Sequence, residues 1–146
     1  MPATIGKAND EHGHLAGNRV LQLVAAGLRK CCRAQDLVAR LGGDEFVLVL
    51  SEPGDYLNTL MERVSDVGAR AGAEIGCKTP LSISAGYAGY PDDAPDAESL
   101  LEKADERMYK NKRRRKASAA PANIVVFPRS GSKEADNPKP KTLALA

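Results

Sequence analysis

Apolar residues recur at helical spacing in three segments of the chain. The first segment runs from Gly17 to about Ala34, and Asn18 at its start is the predicted N-cap. The second segment opens at Asp55, and the third follows Asp96, whose side chain suits an N-cap. Each of these segments therefore predicts an amphipathic helix.

Two segments between the helices have strand patterns. Apolar runs at 37–39 and 46–50 flank a glycine-rich turn, which predicts a β-hairpin. Over residues 81–87 larger apolar residues alternate with serine and glycine, which predicts a half-buried strand whose covered side carries Leu81, Ile83, Ala85 and Tyr87. The order helix, hairpin, helix, strand, helix predicts an α+β fold in which helices pack on one face of a sheet.

The composition changes near the end of the third helix. From Ala117 onward Ala, Ser, Pro, Asn and Lys dominate, apart from a short apolar run at 124–127. We expect a domain over residues 1–116 and a low-complexity tail over 117–146, which is disordered from residue 128 onward. The apolar run at 124–127 is a candidate edge strand.

Charge and apolar content exclude several classes of protein. A net charge of +2 over 146 residues is too small to indicate a nucleic-acid partner by itself. No apolar stretch approaches the ~20 residues that span a bilayer, and the N-terminus lacks the pattern of a signal peptide, so we expect a cytoplasmic protein. Cys31, Cys32 and Cys77 lack the spacing of metal ligands and are expected to be reduced packing residues.

The hairpin turn combines bare backbone with two consecutive carboxylates. Gly42 and Gly43 allow a tight turn and a close approach of a ligand to the main chain. Asp44 and Glu45 supply the hard oxygen ligands that Mg²⁺ prefers. Taken alone, the turn is either a phosphate and metal site or an ordinary acidic hairpin tip.

Four segments, in the same order, resemble motifs of the GGDEF family of diguanylate cyclases. They lie within roughly residues 5–116 and are Asn9–Asn18, Arg40–Phe46, Leu81–Ala88 and Ala104–Lys112. The resemblance implies the nucleotide-cyclase, palm-like fold, an antiparallel-containing sheet with flanking helices. It also implies an activity: two GTP molecules, held by a homodimer with Mg²⁺ or Mn²⁺, are condensed into cyclic di-GMP with release of pyrophosphate.

The same resemblance implies roles for the residues of the turn. Asp44 matches the metal-binding carboxylate of the family, and Glu45 matches its acidic neighbour. Gly42 and Gly43 match the backbone that lies beside the α-phosphate. Because phosphoryl transfer depends mainly on positioning and on neutralising charge, these groups are the expected catalytic residues.

Residues on either side of the turn match the groups that bind the substrate. Asn9 and Asn18 correspond to the guanine readers, the second of which is normally Asp; the amide of Asn18 has one acceptor oxygen, so guanine recognition should be weaker. Lys112 and Lys116 match the residues that reach the β- and γ-phosphates, and the alternative is a solvated cationic helix end. The basic run 112–116 has no interleaved aromatic residue, so we expect no nucleic-acid partner.

A second site in the family binds the product and inhibits the enzyme. Arg33 and Asp36 have the spacing of that site relative to Gly42, and Arg63 resembles a further arginine of it. Arginine and aspartate suit the phosphates and base edges of cyclic di-GMP. The alternative for this pair is a solvated turn between a helix and a strand.

The front of the chain departs from the family. The resemblance places an opening strand in the centre of the sheet, of which residues 1–5 remain, and the first metal-binding aspartate would fall at Met1. We therefore expect a truncated domain in which neighbouring strands lack a partner and cyclase activity is impaired. The alternative functions are a non-catalytic module that binds cyclic di-GMP through Arg33 and Asp36, and a non-functional fragment.

Overall fold

The computed structural model describes residues 13–51 and 54–114 and the backbone of residues 123–127. These residues form an α+β fold with three helices and a four-stranded sheet, as the sequence predicts. The helices are α1 (His14–Cys31), α2 (Tyr56–Glu74) and α3 (Ala97–Arg114). The strands are β1 (Leu37–Gly42), β2 (Glu45–Val49), β3 (Ser84–Tyr87) and β4 (Asn123–Phe127). None of these helices is long and apolar enough to cross a membrane.

Helix α1 begins earlier than its apolar stripe suggested. Its N-cap is Gly13, whose φ of 83° lets the chain turn into the helix, and Asn18 lies inside the helix rather than at its cap. The N-cap prediction for Asn18 is therefore wrong. The side chains of Val20, Val24 and Leu28 are buried at helical spacing, which fixes the face that α1 turns toward the core.

Strands β1 and β2 form the predicted antiparallel hairpin. Their register runs from Leu37 opposite Val49 to Arg40 opposite Phe46, and an irregularity before Gly42 leads into the turn. The whole run Phe46–Leu50 is buried, so β2 is the most enclosed of the strands whose side chains are described. The hairpin thus holds the turn at one end of a rigid core strand.

The sheet order is β1-β2-β4-β3, which places β4 inside the described sheet. Residues 123–127 pair in parallel with β2 on one side and with β3 on the other. The predicted edge location of the 124–127 strand is therefore wrong, because an edge strand has a partner on one side only. The expected remnant of an opening strand at residues 1–5 and the expected disorder of 128–146 lie outside the described residues.

Leu81 and Ile83 are buried, as the alternation predicts, but within β3 itself the buried side is not the predicted one. Ser84 and Gly86 are buried, whereas Tyr87 is exposed. The cause is the close approach of α3: a Cβ on Gly86 would clash with the backbone oxygen of Ala104 and with the backbone of Met108. Residue size at one position therefore decides which side of β3 faces a helix.

Each of the three cysteines, Cys31, Cys32 and Cys77, is partly buried. Burial, reinforced by the negative charge of Asp36, raises the pKa of the Cys32 thiol to about 12. Burial also raises the pKa of Cys31. Both thiols pack against the core, in agreement with their expected role as reduced packing residues.

Candidate functional site

The turn between β1 and β2 is held by an arginine that lies just before it. Arg40 donates two hydrogen bonds to the carbonyl oxygen of Gly43, from Nε at 2.9 Å and from Nη2 at 2.6 Å. Gly43 has a φ of 52°, in the left-handed region that favours glycine. Local sequence thus specifies the turn twice, by a glycine that tolerates the backbone conformation and by a side chain that clamps it.

The glycines of the turn leave the main chain open. A Cβ placed on Gly42 or on Gly43 would meet no atom within 4 Å. Asp44 is partly exposed and Glu45 is exposed, so both carboxylates are accessible beside this bare backbone. Packing alone does not require a glycine at position 42, and its open backbone leaves room for a ligand.

A cavity of about 460 Å³ lies between α1 and the hairpin. Asn18 lines it from the helix, and Arg40 lines it from β1, with Gln22 and Arg29 contributing further polar groups. Its volume falls in the range of small-ligand pockets. Arg40 therefore connects the cavity that contains Asn18 to the turn that contains Asp44.

The C-terminal end of α3 lies at the same end of the sheet as the turn. Arg107 donates to the carbonyl oxygen of Tyr87 at 2.8 Å, and Asn111 donates to that of Ala85 at 3.2 Å, so α3 runs antiparallel to β3. The start of β3 is level with the start of β2, because Ser84 and Glu45 both pair with Asn123. Lys112 follows Asn111 and is partly buried. It therefore lies at the same end of the sheet as the turn.

Two of the expected substrate-binding residues, Asn9 and Lys116, lie outside the described residues. Asn18 lines the same cavity as Arg40, the residue whose side chain binds the turn. Lys112 lies at the same end of the sheet as the turn. Among the hydrogen bonds of the described residues, none joins Lys112 to the turn.

The turn offers part of a site for a divalent cation. Asp44 and Glu45 supply the carboxylate oxygens that Mg²⁺ or Mn²⁺ prefers, while the Gly43 carbonyl is already bonded to Arg40. Within residues 13–51 and 54–114, no three His, Cys, Asp or Glu side chains cluster so that they could hold a metal ion. The donors fit such an ion in kind, and nucleotide phosphates are the further ligands that Mg²⁺ commonly takes.

Asp36, which is expected to bind product, is part of the loop between α1 and β1. Its side chain is only 4% exposed. Oδ2 accepts the backbone N–H of Arg33 at 2.8 Å, and Oδ1 accepts that of Ser51 at 3.2 Å. Its backbone oxygen accepts from Arg29. This geometry satisfies a buried carboxylate and ties the helix end to the end of β2.

Arg33 itself is exposed and lies over an aromatic ring. Its guanidinium carbon is 4.1 Å from the centre of the Tyr56 ring, at the start of α2. The Tyr56 hydroxyl donates to the backbone oxygen of Cys31. Burial raises the pKa of Tyr56, while the positive charges of Arg33 and Arg63 act in the opposite direction. Arg33, Tyr56 and Arg63 thus form an accessible cationic and aromatic cluster.

Sequence reasoning assigned no role to two of these residues. Arg40 belongs to the quoted turn motif, and its position three residues before Gly43 is the only signal for the clamp. Tyr56 is 23 positions from Arg33 in sequence (56 − 33 = 23) and follows the predicted start of a helix, so nothing local indicated their contact.

Comparison with known proteins identifies the family. Residues 6–118 match the family described as diguanylate cyclase, GGDEF domain. Diguanylate cyclase A of Treponema denticola is 35% identical over 106 residues, which cover 71% of this chain and 29% of that protein. Diguanylate cyclase DgcP of Pseudomonas aeruginosa is 40% identical over 113 residues, covering 73% of this chain and 16% of that protein. The chain therefore spans less than a third of the length of either relative.

Solved structures give the same result. A sensory box/GGDEF family protein from Caulobacter crescentus has a TM-score of 0.60 and 30% identity, over 75% of this chain and 72% of that one. The GGDEF domain of TpbB (YfiN) from Pseudomonas aeruginosa has a TM-score of 0.56 and 31% identity, over 87% and 71%. The resemblance inferred from the four motifs is confirmed, and this chain belongs to the GGDEF family of diguanylate cyclase domains.

Proposed function

We propose that this domain binds GTP and, as a homodimer, condenses two GTP molecules into cyclic di-GMP with release of pyrophosphate. The observation that carries the proposal is the turn, whose open backbone at Gly42 and Gly43 stands beside Asp44 and next to the cavity that contains Asn18. A site of this kind can hold a phosphate and a base at the same time. Family membership supports the choice of GTP.

Each residue has a limited and separate task in this proposal. Asp44, with Glu45 beside it, would hold Mg²⁺ or Mn²⁺, which when bound neutralises charge on the phosphates. Lys112 would add a positive charge toward the terminal phosphates, and Asn18 would accept one hydrogen bond from guanine. Catalysis would then consist of orienting the 3′-hydroxyl of one GTP toward the α-phosphate of the other across the dimer.

We further propose that the activity of this chain is low. Asp44 and Glu45 are adjacent, and no cluster of three potential metal ligands exists among the residues that the structure describes. Asn18 offers guanine one acceptor oxygen, where a carboxylate offers two. Both features weaken the positioning of substrate, on which phosphoryl transfer depends.

Binding of GTP in the presence of Mg²⁺ tests the proposal independently of turnover. We expect calorimetry to detect binding by the wild-type chain and Asp44→Asn to weaken it at least tenfold. The matched control is Asp105→Asn, an exposed aspartate on α3 away from the turn. Cyclic di-GMP formation, followed by chromatography, should be slow and should fall further in Asp44→Asn. Unchanged binding in that variant would contradict the assignment of the metal ligand.

A second candidate function is binding of cyclic di-GMP without catalysis. The cluster of Arg33, Tyr56 and Arg63 favours it, because guanidinium groups suit phosphates and an aromatic ring suits a guanine face. In this proposal Asp36 acts indirectly by holding the backbone of Arg33, with which it shares a hydrogen bond.

Calorimetry with cyclic di-GMP distinguishes this candidate from the first. Arg33→Ala and Arg63→Ala should each weaken binding at least tenfold, since charge-assisted hydrogen bonds contribute about 1.5 to 3 kcal/mol. Arg19→Ala serves as the control, because Arg19 is an exposed arginine whose partner is Glu74. If Arg33→Ala binds as tightly as the wild type, the cluster is not the binding site.

A further inference from the structure

Strands β2 and β3 are held together by a strand that comes from the end of the described chain. The two strands do not pair with each other. Every residue of β2, from Glu45 to Val49, has a partner in β4, and so does every residue of β3. Because neighbouring strands lie about 4.8 Å apart, β2 and β3 are separated by about twice that distance, which one strand fills.

The sequence of β4 suits this enclosed position. Ile124, Val125, Val126 and Phe127 form a continuous apolar run of residues with high strand propensity. Such runs, without alternation, are typical of parallel strands that are covered on both faces. Helix α3 contacts both β3 and β4, so the unit β3-α3-β4 is a parallel crossover whose helix covers the strands it connects.

This strand lies beyond the part of the chain that matches the family. The match ends at residue 118, and β4 begins at Asn123. The resemblance to the family implies unpaired backbone groups on the strands that would flank an opening strand. In the described sheet, β2 and β3 are instead both paired with β4 along their facing edges.

We propose that the cleft between β2 and β3 is a strand-binding site whose ligand is an extended apolar segment in parallel register, and that residues 123–127 of the same chain fill it. The cleft presents the facing edges of two strands, so an occupant gains ladder hydrogen bonds on both of its sides. A segment that binds on both sides is a structural part of the domain rather than part of a tail.

Disulfide cross-linking in the full chain tests the register and the source of the occupant. Glu45 and Asn123 are register partners, so Glu45→Cys combined with Asn123→Cys should form a disulfide on mild oxidation. Glu45→Cys combined with Phe127→Cys is the matched control and should not, since Phe127 pairs with Val49 at the far end of β2. Mass spectrometry separates the 45–123 disulfide from any that involve the native cysteines.

The outcome decides the proposal in each case. A 45–123 disulfide within a monomer supports it. A disulfide that appears only in covalent dimers assigns the cleft to a second copy of the chain and overturns the intramolecular occupant. No 45–123 disulfide, or equal cross-linking of the control pair, overturns the strand site itself.

Two measurements on chains without added cysteines complete the test. In the wild type, the backbone amides of residues 124–127 should exchange with solvent as slowly as those of β2. Val125→Pro removes an amide donor from the ladder and should lower the urea midpoint of unfolding, whereas Leu143→Pro, in the segment beyond β4, should leave it unchanged. Fast exchange at 124–127 or equal midpoints for the two variants would contradict the proposal.

Discussion

Arg40 and Gly43 are joined by two hydrogen bonds from one guanidinium to one carbonyl oxygen, at 2.9 and 2.6 Å. The contact fixes the turn, while the surroundings of Gly42 stay open. Arg40 also lines the cavity that Asn18 lines. One side chain therefore couples the shape of the turn to the shape of the cavity.

Arg40→Ala should weaken Mg²⁺-GTP binding by about tenfold. Ordering one backbone residue costs about 1 to 2 kcal/mol, and 1.4 kcal/mol corresponds to a factor of ten in affinity. Because the contact is exposed, the free energy of unfolding should change by less than about 1 kcal/mol. Calorimetry and urea unfolding measure the two quantities. Arg40→Lys, which keeps the charge and loses the two-donor fork, should recover only part of the affinity.

Alanine substitutions at the two turn glycines should separate binding from stability. Gly43→Ala should destabilise the domain by about 1 kcal/mol, because position 43 has a φ of 52° and a Cβ is disfavoured there. Gly42→Ala meets no such strain and should leave the urea midpoint unchanged. If a phosphate approaches the backbone there, Gly42→Ala should nevertheless weaken GTP binding. Unaltered affinity in Gly42→Ala would remove the backbone at this position from the site.

Gly86→Ala should be strongly destabilising. The added Cβ would clash with the backbone of α3 at Ala104 and Met108, and backbone atoms cannot rotate away as a side chain can. Overpacking of this kind costs about 1 to 3 kcal/mol or more. The urea midpoints of the two single variants Gly86→Ala and Gly42→Ala compare the same added methyl group in closely packed and in open surroundings. Similar midpoints for the two variants would show that α3 does not pack closely on β3.

The ion pair between Asp93 and Arg107 should make stability depend on pH in the acid range. Arg107 binds both carboxylate oxygens, at 2.8 and 2.6 Å, and Gly89 N–H donates to one of them. These bonds, the Arg107 contact first, hold the pKa of Asp93 below its ordinary value of 3.8, and Lys103 adds to the effect. A lowered folded-state pKa gives stability that is present above pH 3.8 and is lost as pH falls further.

Asp93→Asn should therefore lower the free energy of unfolding by about 1 kcal/mol at pH 7, after allowance for solvent screening of a partly exposed pair. The difference from the wild type should shrink as pH falls below 3.8. Unfolding curves at several pH values between 7 and 3 measure it. A difference that stays constant over this range would show that the pair does not stabilise the fold through its charge.

The features predicted correctly from sequence are those that local residues determine. The hairpin follows from two apolar runs on either side of Gly42 and Gly43, and Asp96 caps α3 through its bonds to Ser99 as its residue type suggested. The start of α1 was misplaced because Asn18 has the chemistry of a cap, while Gly13 has the required backbone conformation. At this helix start, the backbone conformation that Gly13 can adopt determines the N-cap, and the capping side chain of Asn18 does not.

The features that were missed depend on contacts between distant parts of the chain. The contact that helps bury Asp36 is one of these: Ser51 lies 15 positions away in sequence, and only the folded loop brings the two residues together. The covered side of β3 is set by its contact with α3. The central position of β4 depends on pairing with strands on both sides, which its own sequence does not specify.

The position of β4 also constrains the order of events during synthesis. Strands β2 and β3 leave the ribosome before β4, with all three helices already made. If β4 is the strand that pairs with both of them, the facing edges of β2 and β3 stay unpaired until residue 127 has emerged. The sheet therefore cannot form one strand at a time as the chain is synthesised. Nascent chains of this domain should then need protection from edge-to-edge association for longer than their length alone would suggest.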